Sequence, residues 1–91
     1  MSRRVILAPA VARSLGKLRG PTLIALHGVI LALGEDPRPA SCRKLRGRDL
    51  YRIRLRIDGK PWRVTYVVRD SERLIWVTHV GRRDEAMYRG L

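Results

Sequence analysis

The sequence predicts an α+β fold: an N-terminal strand and a helical hairpin packed on one face of a small twisted antiparallel sheet, ending in a short C-terminal helical turn or tail. Three observations predict it. Apolar residues recur at helical spacing between Val11 and Leu33, whereas strict period-two alternation begins at Tyr51. Asp58-Gly59 lies between two such alternating runs, and Asp-Gly is a strong hairpin signal because both residues tolerate positive φ in a type I′ turn. Helices followed by hairpin strands give a layer pair in which helices cover one sheet face and the other stays open. The 91 residues suffice for one modest core, so 1–91 is read as a single domain without repeat or linker.

Arg4 to Leu7 is a short strand candidate. Pro9 suits the first position of a helix, with Val11, Leu15 and Leu18 on one stripe and Gly16 weakening its middle. Gly20-Pro21 breaks that helix. A second one runs from Pro21 to about Gly34, which is expected to serve as a glycine C-cap. On it Leu23, Leu26, Val29, Ile30 and Leu33 share one broad face. Ile24 and Leu31 lie elsewhere on the wheel, and Ala25, Gly28 and Ala32 add a strip of small residues. A helix apolar nearly all round expects cover on a second side, either from the first helix and the sheet or from a partner that docks on it. Glu35 to Arg43, with Pro37 and Pro39, reads as a loop. Strands are expected near 50–57, 62–69 and 74–80, with Asp70 to Arg73 as the second turn and Arg82 to Arg89 as the tail.

The two-residue turn pairs Ile57 with Lys60, which sets Leu55 against Trp62, Arg54 against Arg63, Ile53 against Val64, and Tyr51 against Tyr66. Tyr51, Ile53, Leu55 and Ile57 then face inward, while Arg52, Arg54 and Arg56 point out together. Like charges opposite each other are unfavourable in the empty protein. They become useful under an anion, and phosphate matches the planar donor fork of arginine. A merely solubilising face would mix both signs of charge, and this one does not. Trp62 and Trp76 read as sheet-packing aromatics.

The formal net charge is +12, from 20 basic residues, 17 of them arginine, against 8 acidic ones. Such an excess implies a polyanionic partner: nucleic acid, an anionic membrane surface or an acidic protein. A single cysteine, Cys42, excludes an internal disulfide and suits a reducing compartment. The start Met-Ser-Arg-Arg before Val5 to Ala12 is too short, and too soon followed by Arg13, to be read as an export signal. The longest apolar stretch, Leu23 to Leu33, is too short to span a bilayer. A soluble cytoplasmic protein is expected, with no membrane association.

No metal site is expected, since His27 and His79 stand far apart in sequence and Cys42 has no partner motif. The glycines form neither a Walker loop nor a dinucleotide fingerprint, and no cofactor is implied. However, the succession Lys44-Leu45-Arg46-Gly47, Leu50-Tyr51-Arg52-Ile53-Arg54, Trp62-Arg63-Val64-Thr65-Tyr66, Val80-Gly81-Arg82-Arg83 and Tyr88 resembles the RelE/ParE superfamily of toxins from type II toxin–antitoxin modules. The resemblance covers nearly the whole chain. It implies the helical hairpin on a small antiparallel sheet deduced above.

Within that superfamily the RelE branch cleaves mRNA in the ribosomal A site, whereas ParE-like members inhibit DNA gyrase without being ribonucleases. RelE-like toxins use basic residues on the hairpin strands, arginines in the following strand and after the last strand, and a C-terminal tyrosine. The matching positions are Arg52, Arg54, Arg63, Arg83 and Tyr88, which favours the ribosome-dependent endoribonuclease. The alternatives are a gyrase inhibitor and a noncatalytic RNA- or ribosome-binding module. One departure matters: the best-known members carry lysines where this chain has Arg52 and Arg54, and arginine does not lose its proton. A general-base role therefore does not transfer, and electrostatic stabilisation of a phosphorane-like transition state does.

The reaction the resemblance implies is metal-independent attack of a ribose 2′-OH on the adjacent phosphate, leaving 2′,3′-cyclic phosphate and 5′-OH ends. Arg63 and Arg83 are assigned to the phosphate and leaving group, Arg52 and Arg54 to the backbone, and Tyr88 to a base or the 2′-OH. Lys44, Arg46, Arg56 and Arg82 are expected to bind RNA. Tyr88, His79 and Glu85 are the proton-acceptor candidates. An even-numbered turn after Arg69 places His79 on the apolar face beside Val64, and an odd-numbered one beside Arg63. The expected partners are the ribosome, mRNA and an acidic cognate antitoxin whose amphipathic helix covers Ile24, His27 and Leu31.

Overall fold

In the computed structural model, which describes residues 2–45 and 49–82, the chain runs through β1 (Arg4–Leu7), α1 (Pro9–Gly16), α2 (Gly20–Glu35), β2 (Cys42–Lys44), β3 (Leu50–Ile57), β4 (Lys60–Arg69), a 3₁₀ turn (Asp70–Glu72) and β5 (Leu74–Arg82). The strands form one sheet in the order β1-β5-β4-β3-β2. Both helices lie against one face of it. Asp58 and Gly59 adopt φ of 55° and 77°, as the type I′ turn demands, and the predicted register follows along the whole hairpin from Ile57↔Lys60 to Tyr51↔Tyr66. Counting from that turn, Arg56↔Pro61 is a non-hydrogen-bonded pair, so the missing N–H of Pro61 costs no ladder bond to β3.

The sheet is mixed, where the sequence predicts an antiparallel one. β1 pairs parallel to β5, with Ile6 beside Trp76 and Val5 beside Ile75. Backbone bonds extend the ladder at both ends, from Arg4 N–H to Arg73 O (2.9 Å) and from Ala8 N–H to Val77 O (2.9 Å). The physical reason is the helical hairpin: after β1 the chain crosses the inner face and re-enters at the far edge through β2. The outer edge of β5 is then left to β1. β2 overlaps the end of the expected loop, Glu35 to Arg43, and its three residues pair only with Tyr51 to Ile53, so their brevity hides the strand signal.

Gly34 is not the predicted C-cap. α2 continues to Glu35, and a Cβ at Gly34 would stand 2.9 Å from the Arg3 carbonyl oxygen. Glycine is needed because the start of β1 crosses the helix there, with Arg3 N–H donating to Gly34 O (2.7 Å). On α2, Leu26, Ile30 and Leu33 are buried and Leu23 and Val29 partly so, whereas Ile24 and Leu31 remain 73% and 56% exposed. Together with Val11, Leu15 and the inward residues of β3, β4 and β5 they complete the core.

Polar anchors tie the 36–41 loop to the sheet. Tyr66 is fully buried, and its hydroxyl donates to Pro37 O (2.8 Å). Burial pushes its pKa up, which keeps the proton this bond needs. Tyr66 stacks on Tyr51 with ring centroids 5.8 Å apart, and Arg38 Nε donates to the Tyr51 hydroxyl (2.9 Å). Asp70 accepts from Arg38 (2.8 Å) and from Arg3 (3.3 Å), so one carboxylate joins the N-terminus, the loop and the β4–β5 turn.

Candidate nucleic-acid interface

The face of the sheet away from the helices reads as parallel rows crossing the strands, because residues paired across strands share a face. The central row is Arg43–Arg52–Thr65–His79, from β2 to β5. Beside it lies Arg54–Arg63–Gly81. The strand parity places all five of these basic residues on one surface. Arg43, Arg52 and Arg54 line, with Ser41, a cleft of about 230 Å³. Arg54↔Arg63 is again a non-hydrogen-bonded pair by the same counting, the type in which side chains approach most closely. Arg56 lies at the turn end, its Nη1 donating to Gly59 O (3.1 Å).

His79 comes to this face by a route the sequence does not reveal. The turn after Arg69 holds four residues, Arg69 pairing with Leu74, and an even number is expected to send His79 inward. A β-bulge intervenes: Thr65 pairs with His79 while Tyr66 pairs with Val77, leaving Thr78 as the extra residue. The Thr78 hydroxyl donates to Thr65 O (3.2 Å) across the bulge. Parity is thereby reversed, and His79 is exposed opposite Thr65. Bulges re-aim side chains in this way.

Four sequence-based placements change. Lys44 pairs with Tyr51 and Arg82 with Trp62, both core aromatics, so each takes the helix-side parity. Arg43, which the sequence reading passed over as loop, stands beside Arg52 instead. Trp62 packs in the core as expected, but Trp76 is 43% exposed on the outer face. Its signal lay in the alternation of β5, where Ile75 and Val77 already claim the inward positions. Arg46, Arg83, Glu85 and Tyr88 lie outside the described residues.

This arrangement has few chemical uses. Clustered guanidinium groups hold and neutralise phosphate, and an exposed imidazole among them adds a group that can accept or donate a proton. The class so defined is a small α+β protein with an open cationic sheet face, suited to a polyanion. Known proteins narrow it further. No family model and no curated protein matches the sequence. Solved structures do: an Escherichia coli RelE toxin variant in the free state is 26% identical, with a TM-score of 0.74 and all of both chains covered. The RelE–RelB complex from Pyrococcus horikoshii gives 24% identity and a TM-score of 0.72 over 94% of this chain and 100% of that one. A toxin–antitoxin complex from Mycobacterium tuberculosis gives 20% and 0.74, over 93% and 95%. By architecture the chain is similar to the RelE toxins, from its first strand to its last.

Proposed function

We propose that the chain is the toxin of a type II toxin–antitoxin module and acts as a ribosome-dependent mRNA endoribonuclease in the cytoplasm. The observation that supports this reading is the meeting of Arg43, Arg52, Arg54 and Arg63 on the sheet face opposite the two described helices. In the reaction, the ribose 2′-oxygen bonds to phosphorus as the P–O5′ bond breaks. The 2′-OH proton passes to a base and the departing 5′-oxygen gains one, giving a 2′,3′-cyclic phosphate and a 5′-OH.

Arg54 and Arg63, with Arg52 beside them, stabilise the added negative charge of the pentacoordinate phosphorus and hold nucleophile and leaving group in line. Neither arginine accepts the proton. His79 is our candidate for that role among the described residues, being the imidazole the bulge turns onto the same face. Arg83 and Tyr88 are assigned by resemblance to the leaving-group side and to the substrate base or its 2′-OH.

The partner we infer is an acidic antitoxin, as in the RelE complexes solved with their antitoxins. Ile24, His27 and Leu31 form an exposed stripe on α2. Beside α2 an apolar cleft of about 370 Å³, lined by Val29, Ala32 and Leu55, has Arg54 on its rim. An amphipathic helix seated on the stripe can therefore extend acidic residues over the arginines.

The test is to map transcript 5′ ends after a brief pulse of expression. New ends confined to translated message support the reading. Growth arrest with intact message and induced DNA-damage signalling overturns it in favour of a gyrase inhibitor.

A further inference from the structure

The outer face also holds an apolar row that the proposed reaction does not use. Leu50, Val67, Trp76 and Ile6 pair in succession across β3, β4, β5 and β1, an apolar band about 14 Å wide at normal strand spacing. Ile6 and Trp76 are 38% and 43% exposed. On one side runs the Arg43–Arg52–Thr65–His79 row. On the other runs Arg4–Leu74–Arg69, in which Arg4 and Arg69 are exposed and Arg69 meets Glu72 at 3.8 Å. Among the described residues, no outward strand position of this face carries Asp or Glu.

We propose that this band is a second nucleic-acid subsite, in which Trp76 stacks on an unpaired base of single-stranded RNA whose backbone runs between the flanking arginine rows. The inference deepens the reading of the same face as an RNA site and rests on it. Three features favour RNA as the occupant. Adjacent rows stand about 7 Å apart, so a base on Trp76 and a phosphate on the arginine row belong to neighbouring nucleotides. An aromatic platform between cationic rows is the arrangement that holds single strands without reading sequence. A packing aromatic serving only the sheet would be covered on this face, and Trp76 is not. An acidic protein would satisfy the arginines and is the alternative that the test separates.

The tryptophans supply the test, since Trp62 is in the core and Trp76 is not. The protein is titrated with a fully 2′-O-methylated RNA 12-mer, which the proposed chemistry cannot cleave, while tryptophan emission and anisotropy of a labelled 12-mer are followed. Wild type should bind with partial quenching. Trp76→Phe should bind within about threefold of wild type but lose the quenching, and Trp76→Ala should bind about tenfold or more weaker, the range for one lost stacked base. Far-ultraviolet circular dichroism confirms the fold of each variant. Wild-type affinity in Trp76→Ala, or quenching that survives Trp76→Phe, overturns the proposal. Quenching by an acidic peptide but not by RNA overturns it in favour of a protein contact. If wild-type protein cuts translated message while Trp76→Ala both binds and cuts like wild type, this subsite is refuted and the nuclease reading stands. If wild type neither binds the 12-mer nor cuts message, both fall.

Discussion

Arg54→Gln should make the protein more stable and less active at once. Arg54 is exposed and directly opposite Arg63, within a chain of net charge +12. With the guanidinium groups splayed to about 8 Å, their repulsion is about 0.5 kcal/mol at the dielectric of water and about 2 kcal/mol at an effective dielectric near 20. Exposure of Arg54 selects the lower figure, which also lies within the measured range for cross-strand pairs. For a domain of this size that is a rise in Tm of about 2–4 °C. At 0.5 M salt, where screening acts within a few ångströms, the gain should vanish. Arg56→Gln is the control, because it removes the same charge opposite Pro61 and forfeits the bond to Gly59 O, so its Tm should not rise. Message cleavage by Arg54→Gln should fall about 10²–10³-fold, the usual consequence of losing one group that stabilises transition-state charge. The measurements are thermal melts at 20 mM and 500 mM salt and primer extension on a translated message. If Arg54→Gln melts at or below wild type in low salt, the face is not electrostatically frustrated and the argument for an anionic occupant loses its basis.

Tyr66→Phe should lower stability by about 1–3 kcal/mol in denaturant melts, because the buried carbonyl of Pro37 loses its donor. Asp70 gives the acid limb of stability. The Arg38 hydrogen bond holds its carboxyl below the ordinary carboxylate value, so its contribution is present above the unfolded-state pKa and is lost as pH falls through the depressed folded one. Asp70→Asn should therefore lower Tm at pH 7 and flatten the decline on the acid side, and an unchanged acid limb would reject that assignment. His79→Gln should slow cleavage while leaving binding of the 2′-O-methylated 12-mer intact; cleavage at the wild-type rate would exclude His79 as the proton acceptor. Ile24→Glu with Leu31→Glu should abolish antitoxin binding in a pull-down yet leave toxicity in place, since neither residue lies on the arginine face.

What could be read from the chain and what could not divide along a physical line. The β3–β4 hairpin was legible because a two-residue turn and strict alternation leave one register, and every pairing from Ile57 to Tyr51 follows from Asp58-Gly59. Parity beyond β4 was not. It depends on one inserted residue, Thr78, whose hydroxyl bridges to Thr65 O, and nothing local in Val77-Thr78-His79 distinguishes a bulge from a continuous strand. That residue decides the chemistry of the face. Were the pairing regular through Thr78, His79 would turn towards the core beside Val64 and leave the arginine face. With the bulge, an imidazole and an indole on the same strand, His79 and Trp76, both face outward although three positions apart. A regular strand cannot place residues three apart on one face. Deleting Thr78 should remove the bulge yet keep His79 opposite Thr65, because Val77 and His79 would then be consecutive and alternate faces. The deletion variant should therefore fold and keep cutting, and a variant that folds and binds RNA but no longer cuts would show that the bulge positions the imidazole beyond setting its parity.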